Sequence, residues 1–316
     1  MYEWNRNIQR VVNSIENSIK AGESDDITLL NLSKEIAYSP FHTTRQFKEL
    51  TGILLRDYLR LRKLAYSVID LRDSRLRILD IAVKYGFSSQ EAYARAFKKA
   101  YSITPDVYRR NPGPLLLRNK ANTFDPYYLG IGENNMDKTK LQEIKVWIET
   151  IPAHKVLFLK HYESKGYWDF WEKQDKVPGC DCNTISGLMD SIKGKLDGND
   201  NELGVFSGQL MFYIYEEDGR VPECYGIRVP ADYKGELPPQ LYCKEVPEGD
   251  YIIFAHPTFD YDTMSSSVME EVTKVSGEYD LDAAGYEYEE KNGRIRYIYH
   301  SPDVWGYRIV RPVKKK

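Results

Sequence analysis

Apolar residues recur at helical spacing through the first third of the chain. In ILDIAVKYGFSSQEAYARAFKKAYSITPDVYRR, residues 78–110, Ile78, Ile81 and Ala82 mark one helix, and Tyr93, Ala96 and Phe97 mark a second. Gly86 between them offers the permissive backbone of a tight turn. Ser88 is placed to cap the second helix, and Thr104-Pro105 reads as the N-cap and first turn of a third. The pattern predicts a helix-turn-helix with a buttressing helix behind it. On its second helix Gln90, Glu91, Ala94 and Arg95 project opposite the apolar stripe, where such a motif meets base edges in a major groove.

The spacing of IlexxIleAla, TyrGlyPheSerSerGln, ArgxPheLys and ProxxTyrArgArg resembles the second helix-turn-helix of the AraC/XylS transcription regulators, Rob-type branch. That family carries two such units, and LNLSKEIAYSPFHTTRQFKELTG, Leu30 to Gly52, aligns as the first. Ser39 caps, Phe47 packs, and Gly52 closes the helix. The resemblance implies Phe41, His42, Thr44, Arg45 and Lys48 as its exposed DNA-facing residues. Two positions depart from the family: Ser33 replaces a usual alanine and Ala37 the common turn glycine, both small enough for the turn to form. Between the units, Tyr58, Leu61, Leu64, Ala65, Val68 and Leu71 repeat at helical spacing. This is the connecting helix that holds two recognition helices about one DNA turn, roughly 34 Å, apart. In such a site Arg45 and Arg95 hydrogen-bond guanine or clamp phosphate, and Gln90 reads adenine. Glu91 accepts from a cytosine amino group or makes no DNA contact.

After Arg110 the pattern changes. Asn111-Pro112-Gly113-Pro114 stops the last helix, and a stretch to 140 with Pro126, Gly130, Gly132, Asn134 and Asn135 reads as a linker that partly packs. Beyond it the period becomes that of strands, and it repeats. MFYIYEEDGRVPECYGIRVP (211–230) parallels IRYIYHSPDVWGYRIVRPV (295–313), aligned on TyrIleTyr. VWIETIPAHKVLFLKHY (146–162) parallels YCKEVPEGDYIIFAHPTF (242–259), and each is followed by a helical segment, GYWDFWEKQDKV or DTMSSSVMEEVTKV. The expected fold is therefore an all-α double helix-turn-helix domain over 1–112, a linker over 113–140, and an α+β domain over 141–316. The last is built of duplicated strand-helix-strand-strand units, with a curved antiparallel sheet and two helices on one side.

This second half resembles the GyrI-like effector-binding domain, which implies a cleft for small apolar, aromatic or cationic molecules. Tyr162, Tyr167, Trp168, Trp171, Tyr213, Tyr215, Phe259, Tyr297, Tyr299 and Trp305 lie at repeat-related positions and are the candidate ligand residues. Alternating aromatics also simply pack sheets, and Trp168 and Trp171, three apart on a helix, fit a core equally well. Many family members place an acid two residues before a tyrosine of the late strand. Here Tyr297 stands there before Tyr299, leaving Glu287, Glu289 or Asp303 to supply charge.

Charge separates the halves. Residues 1–120 hold 21 basic and 13 acidic side chains, while 121–316 hold 23 and 34, so an overall charge of −3 conceals a basic and an acidic module. The basic module gains by releasing counterions from phosphates; the acidic one is repelled from the duplex and has another task. Cys180 and Cys182 form a C-x-C pair without further metal-ligand spacing, so no metal or cofactor is expected. Without an apolar run near the ~18 residues needed to span a bilayer, the expectation is a cytoplasmic, nucleoid-associated regulator. Its expected partners are operator DNA, a small ligand and RNA polymerase, with no membrane. Two rival readings remain for the second half. One is a small-molecule hydrolase in which Tyr297 or Tyr299 with Glu289 assists water attack; the other is a protein-binding or sequestering module.

Overall fold

The computed structural model describes residues 2–23, 27–124, 142–199, 203, 208–291 and 293–316; the part of the expected linker over 125–140 lies outside them. The chain divides into two compact units.

The first is helical: α1 (Tyr2–Ala21), α2 (Leu29–Glu35), α3 (Pro40–Thr51), α4 (Leu55–Asp73), α5 (Ile78–Lys84), α6 (Gln90–Tyr101) and α7 (Pro105–Arg110). Both helix-turn-helix motifs are present. Gly86 makes the turn between α5 and α6 with φ 69°, and Ala37 makes the equivalent turn between α2 and α3 with φ 57°. Ser39 Oγ accepts from His42 N at 3.3 Å and caps α3. On α6 the cap is Ser89, which accepts from Ala92 N at 3.1 Å, one residue later than the expected Ser88. Thr104 caps α7 as expected, accepting from Val107 N at 3.3 Å. Gly52 closes α3 with φ 71°, and Ser102 closes α6 in the same left-handed conformation, φ 64°.

The N-terminal helix is amphipathic: Ile8, Val11, Val12, Ile15 and Ile19 are buried in the core of this unit. Its buried residues also include a charge. Glu16 receives Arg62 Nε at 2.7 Å and Nη2 at 2.6 Å, Tyr66 Oη at 3.0 Å and Tyr58 Oη at 3.2 Å. The backbone N–H of Ala121 donates to Tyr58 Oη at 3.1 Å, and Arg62 also donates to the Arg118 carbonyl. Asn5 and Gln9 of α1 bind the backbone of Thr123 and Ala121. Residues 113–124, read from sequence as the start of a linker, are thus fastened across α1 and α4, because their backbone groups find partners there.

One further helix belongs to this unit. The chain segment Asn183–Lys193 packs within it, although by sequence it lies inside the second half. It forms most of α9 (Cys182–Ser191), with Ile185, Leu188, Met189 and Ile192 buried. The contact is close: a Cβ built on Gly187 would lie 1.8 Å from the Leu117 carbonyl oxygen, so only glycine fits.

The second unit is an antiparallel sheet, β1 (Lys145–Ile151), β2 (His154–His161), β3 (Gln209–Ile214), β4 (Glu223–Pro230), β5 (Tyr242–Val246), β6 (Gly249–His256), β8 (Ile295–Ser301) and β9 (Gly306–Lys315). Its order is β1-β6-β9-β8-β3-β4-β2-β5, and the short β7 (Tyr286–Tyr288) pairs with the end of β9. The order reads the same after exchange of the repeats, so the duplication is real. The expected strand-helix-strand-strand unit is preceded in each copy by an extra strand that crosses over: β1 pairs with β6 of the second copy, and β5 with β2 of the first. Helices α8 (Tyr167–Gln174) and α10 (Tyr261–Glu278) cover one face. Val268 and Val272 of α10 pack on Ile252, Phe254 and Ile309, and Trp171 of α8 packs on Tyr225 of β4, with ring centroids 4.8 Å apart.

The opposite face carries no helix among the described residues, yet Phe212, Tyr251, Tyr297 and Val310 are buried on it. Curvature explains this. His154 on β2 and Tyr297 on β8 are separated by two strands, roughly 14 Å on a flat sheet, but His154 Nε2 and Tyr297 Oη lie 2.6 Å apart. That face closes on its own side chains.

Removing Arg62 leaves a carboxylate stranded in the core. Arg62→Met should destabilise the helical unit by about 3–5 kcal/mol in urea unfolding. Burial alone raises the Glu16 carboxyl, but the adjacent Arg62 guanidinium and the donors from Arg62 and Tyr66 hold it below its usual 4.5. Its contribution is therefore complete above pH 4.5 and is lost as the pH falls through the lower folded value, which an acid titration of unfolding will register. Ala37→Gly and Ser102→Gly relieve left-handed β-carbons, and each should raise stability by roughly 0.5–1 kcal/mol.

Candidate functional site

Two surfaces concentrate the candidate chemistry, one on each unit. On the helical unit, α3 and α6 are seated on α4 by aromatic anchors. Phe47 packs edge-on against Tyr58, centroids 5.3 Å apart, and Tyr93 Oη donates to Ser67 Oγ at 2.9 Å. These contacts bury the Thr43/Phe47 stripe of α3 and the Tyr93/Phe97 stripe of α6. Their opposite sides face outward: Phe41, His42, Arg45 and Lys48 on the first, Gln90, Glu91 and Arg95 on the second. Thr44 and Ala94 are half-buried, and Thr44 turns its hydroxyl back to the Pro40 carbonyl at 3.0 Å. Phe41 is 71% exposed, an uncommon place for a large aromatic ring, with His42 edge-on to it. Arg45 is held by Glu49 at 2.9 Å, an exposed i,i+4 pair that leaves it free to exchange a carboxylate for another acceptor. The Ser89 side chain, then the Glu91 amide and Arg95, hold the Glu91 carboxyl below its ordinary value.

On the sheet unit, strand alternation decides which aromatics can meet. In β3, Leu210, Phe212 and Ile214 point to the helix-free face, so Tyr213, and Tyr215 just beyond it, point toward the helices. In β8, Ile295, Tyr297 and Tyr299 occupy the helix-free face, leaving Arg296, Ile298 and His300 on the helix side. Tyr213 pairs across the ladder with Arg296, and Tyr297 with Phe212. The TyrIleTyr alignment is thus one residue out of structural register, and Tyr213 and Tyr297 lie on opposite sides of the sheet.

The helix side of β3 and β8 is covered incompletely. Met211, Tyr213, Tyr215, Arg296 and Ile298 are all half-buried, and α10 packs over β6 and β9 instead. They make a half-exposed strip of the sheet, the candidate groove, beside α8, which carries Tyr167 and Trp168 with rings edge to face at 5.0 Å. Sequence reasoning missed the acid in this groove. Glu223 of β4, only 7% exposed, accepts from Tyr213 Oη at 2.9 Å and from Gly166 N at 2.7 and 2.9 Å. Arg296 lies over the Tyr213 ring at 5.6 Å. The signal for Glu223 was its cross-strand register with Tyr213, visible only once strand parity is fixed.

The other candidates are scattered. Trp171 and Phe259 are buried beneath the helices. Tyr297 and Tyr299 are buried on the helix-free face, where Tyr297 Oη meets His154 and the Arg228 guanidinium lies over both rings. Tyr162 is exposed and binds Glu216 at 3.2 Å. Trp305 is exposed in the turn before β9, with Arg308 over it. Glu289 pairs with Arg294 at 3.3 Å and Glu287 with Lys314 at 3.0 Å, so both carboxylates are engaged outside the groove. The hydrolase arrangement of Tyr297 or Tyr299 with Glu289 is not assembled, because Tyr297 is engaged by His154 and Glu289 by Arg294. Among the described residues no group of three or more His, Cys, Asp or Glu side chains is arranged to hold a metal ion, and no helix is long and apolar enough to cross a membrane.

A helix-turn-helix domain family model matches residues 32–111, the span from α2 to the end of α7. The probable transcription factor PqrA of Proteus vulgaris is 36% identical over 107 residues, 33% of this chain and 86% of that protein. The chain belongs to the AraC family of transcription regulators. A second AraC-type relative, the right origin-binding protein of Escherichia coli (strain K12), is 43% identical over 86 residues, 27% of this chain. The chain spans 30% of that relative's length. Among solved structures, the C-terminal domain of AraT, a response regulator from Geobacillus stearothermophilus, matches 33% of this chain and 84% of its own at 28% identity, with a TM-score of 0.30. The AraC-type double motif thus rests on α2 to α7, with the sheet unit as a separate module.

His300, at the β8 end of the groove floor, provides a pH test of the sheet unit. Burial between Phe259, Tyr261 and Tyr307 pushes its imidazole down to about 4 from an ordinary 6.5. Between those values the unfolded chain takes up a proton that the folded unit refuses. Stability is complete above pH 6.5 and should fall by roughly 3 kcal/mol on approach to pH 4. His300→Gln should flatten that part of the pH profile in thermal unfolding.

Proposed function

We propose that this AraC-family regulator is ligand-responsive: α3 and α6 read consecutive major grooves of operator DNA, and the groove between α8 and α10 binds a small aromatic cation. RNA polymerase is its protein partner in this reading, and the sheet unit is a GyrI-like sensor. The DNA half is supported by the outward placement of Phe41, His42, Arg45, Lys48, Gln90, Glu91 and Arg95 on two helices fixed to one connecting helix. Phe41 suits a thymine methyl, and Arg95 a guanine edge or a phosphate.

The single observation behind the sensor half is Glu223. A carboxylate taken out of solvent at the edge of a half-exposed aromatic strip favours a ligand that brings positive charge and a flat face. It supplies the negative charge that the family places on the late strand and that Tyr297 lacks here. Arg296 already occupies one face of Tyr213, so the ligand is expected against Tyr167 and Trp168.

Operators selected from sheared genomic DNA by the full chain provide the assay. Arg95→Ala should cost about 1–3 kcal/mol at its own base pair and relax preference there; unaltered affinity and preference would reject base reading by this residue. For the groove the probe is tetraphenylphosphonium, followed by tryptophan fluorescence. Binding should weaken roughly tenfold, about 1.4 kcal/mol, in Glu223→Gln. Equal binding by the variant removes Glu223 from the site.

A further inference from the structure

We infer that Glu49 selects the edge of Arg45 that meets DNA, and so makes this arginine a guanine reader rather than a phosphate clamp. This rests on the reading of α3 as a DNA-facing helix. Glu49 accepts from two side chains of its own helix. Arg45 Nε donates to Oε1 at 2.9 Å and Gln46 Nε2 donates to Oε2 at 2.8 Å, so both carboxylate oxygens are engaged and the group is fixed in orientation. The Arg45 and Glu49 side chains are nonetheless 61% and 49% exposed, on the side of α3 away from the buried Thr43 and Phe47. With Nε turned along the helix, the terminal edge of the guanidinium, Nη1 and Nη2, has no partner among the described residues.

That edge carries two parallel donors, the fork that matches O6 and N7 of a guanine in the major groove. A base contact made this way keeps the Glu49 bond. A phosphate contact forfeits it, because the side chain must swing toward the DNA backbone and leaves the carboxylate beside the phosphate, where like charge opposes the arrangement. Holding the fork in advance also lowers the cost of ordering a long side chain on binding. Helix α6 supplies the comparison. Arg45, Phe47 and Lys48 correspond to Arg95, Phe97 and Lys98, with the same pattern of burial and exposure. The acid does not recur: Lys99 stands in the place of Glu49, and the acid of α6, Glu91, lies a turn before Arg95 and is bonded to the Ser89 side chain. Glu49 is thus a positioning residue particular to the first recognition helix.

The test measures Kd of the full chain for a set of operator fragments, each with one base pair substituted, over a range of salt concentrations. Both side chains lie outside the core, so their variants keep the fold. Arg45→Ala should remove a preference of at least about fivefold for guanine at one position. Glu49→Gln keeps the arginine and its charge. It should lower that same preference at least about threefold, leave preference at the other positions unchanged, and steepen the slope of log K against log salt by about 0.9, one added phosphate contact. In the Arg45→Ala background, Glu49→Gln should change neither preference nor slope, because the acid acts through the arginine. An intact guanine preference in Glu49→Gln overturns the assignment. So does an equal steepening in the double variant, which makes the carboxylate's own charge the cause, and so does a full set of preferences surviving Arg45→Ala. A wild-type chain without preference at any position overturns the DNA reading of the recognition helices, and this assignment with it.

Discussion

The Arg62–Glu16 pair is the constraint around which the helical unit is organised. Neither charge reaches solvent, so each is tolerable only if the other is held in place, together with the two tyrosines that complete the carboxylate's hydrogen bonds. That requirement fixes α1 across the middle of α4 and draws residues 118–121 onto the same spot. Because α4 also carries Tyr58 and Ser67, the pair sets the floor on which both recognition helices rest. Geometry at the proposed DNA surface thus depends on a buried pair that lies outside it.

In the sheet unit the corresponding constraint is parity. A strand offers alternate residues to opposite faces, and with one face closed on itself by curvature only the other can line a groove. This separates tyrosines that look equivalent in sequence. Tyr213 faces the helices with Glu223 and Arg296, whereas Tyr297 is consumed by packing and by His154.

The helical half was legible in detail because its signals are local: an apolar period, a capping serine and a turn residue, all within a few positions of the element they define. The one-residue shift from Ser88 to Ser89 is the scale of error such signals carry. The duplication in the second half was legible for the same reason, although the expected unit lacked the first strand of each copy. What escaped was non-local. The crossing of β1 to β6 and β5 to β2 depends on partners about 100 residues away, the fastening of 113–124 depends on α1, and α9 has an apolar face whose partner lies in the other half. The groove acid went unseen because Glu223 acquires meaning only from the strand beside it.

The exchange of β1 and β5 has a consequence for biogenesis. When the first repeat leaves the ribosome, β1 has no neighbour, because β6 has yet to be made, and β2, paired with β4 on one edge, leaves its other edge waiting for β5. The sheet closes only after β8 and β9, which join β6 to β3, have emerged, a late and long-range event of the kind that folds slowly. Until then two unpaired strand edges are open to neighbouring chains. The exchange that makes the finished unit inseparable thus leaves strand edges open during synthesis, while α1 to α7 can condense first on local contacts.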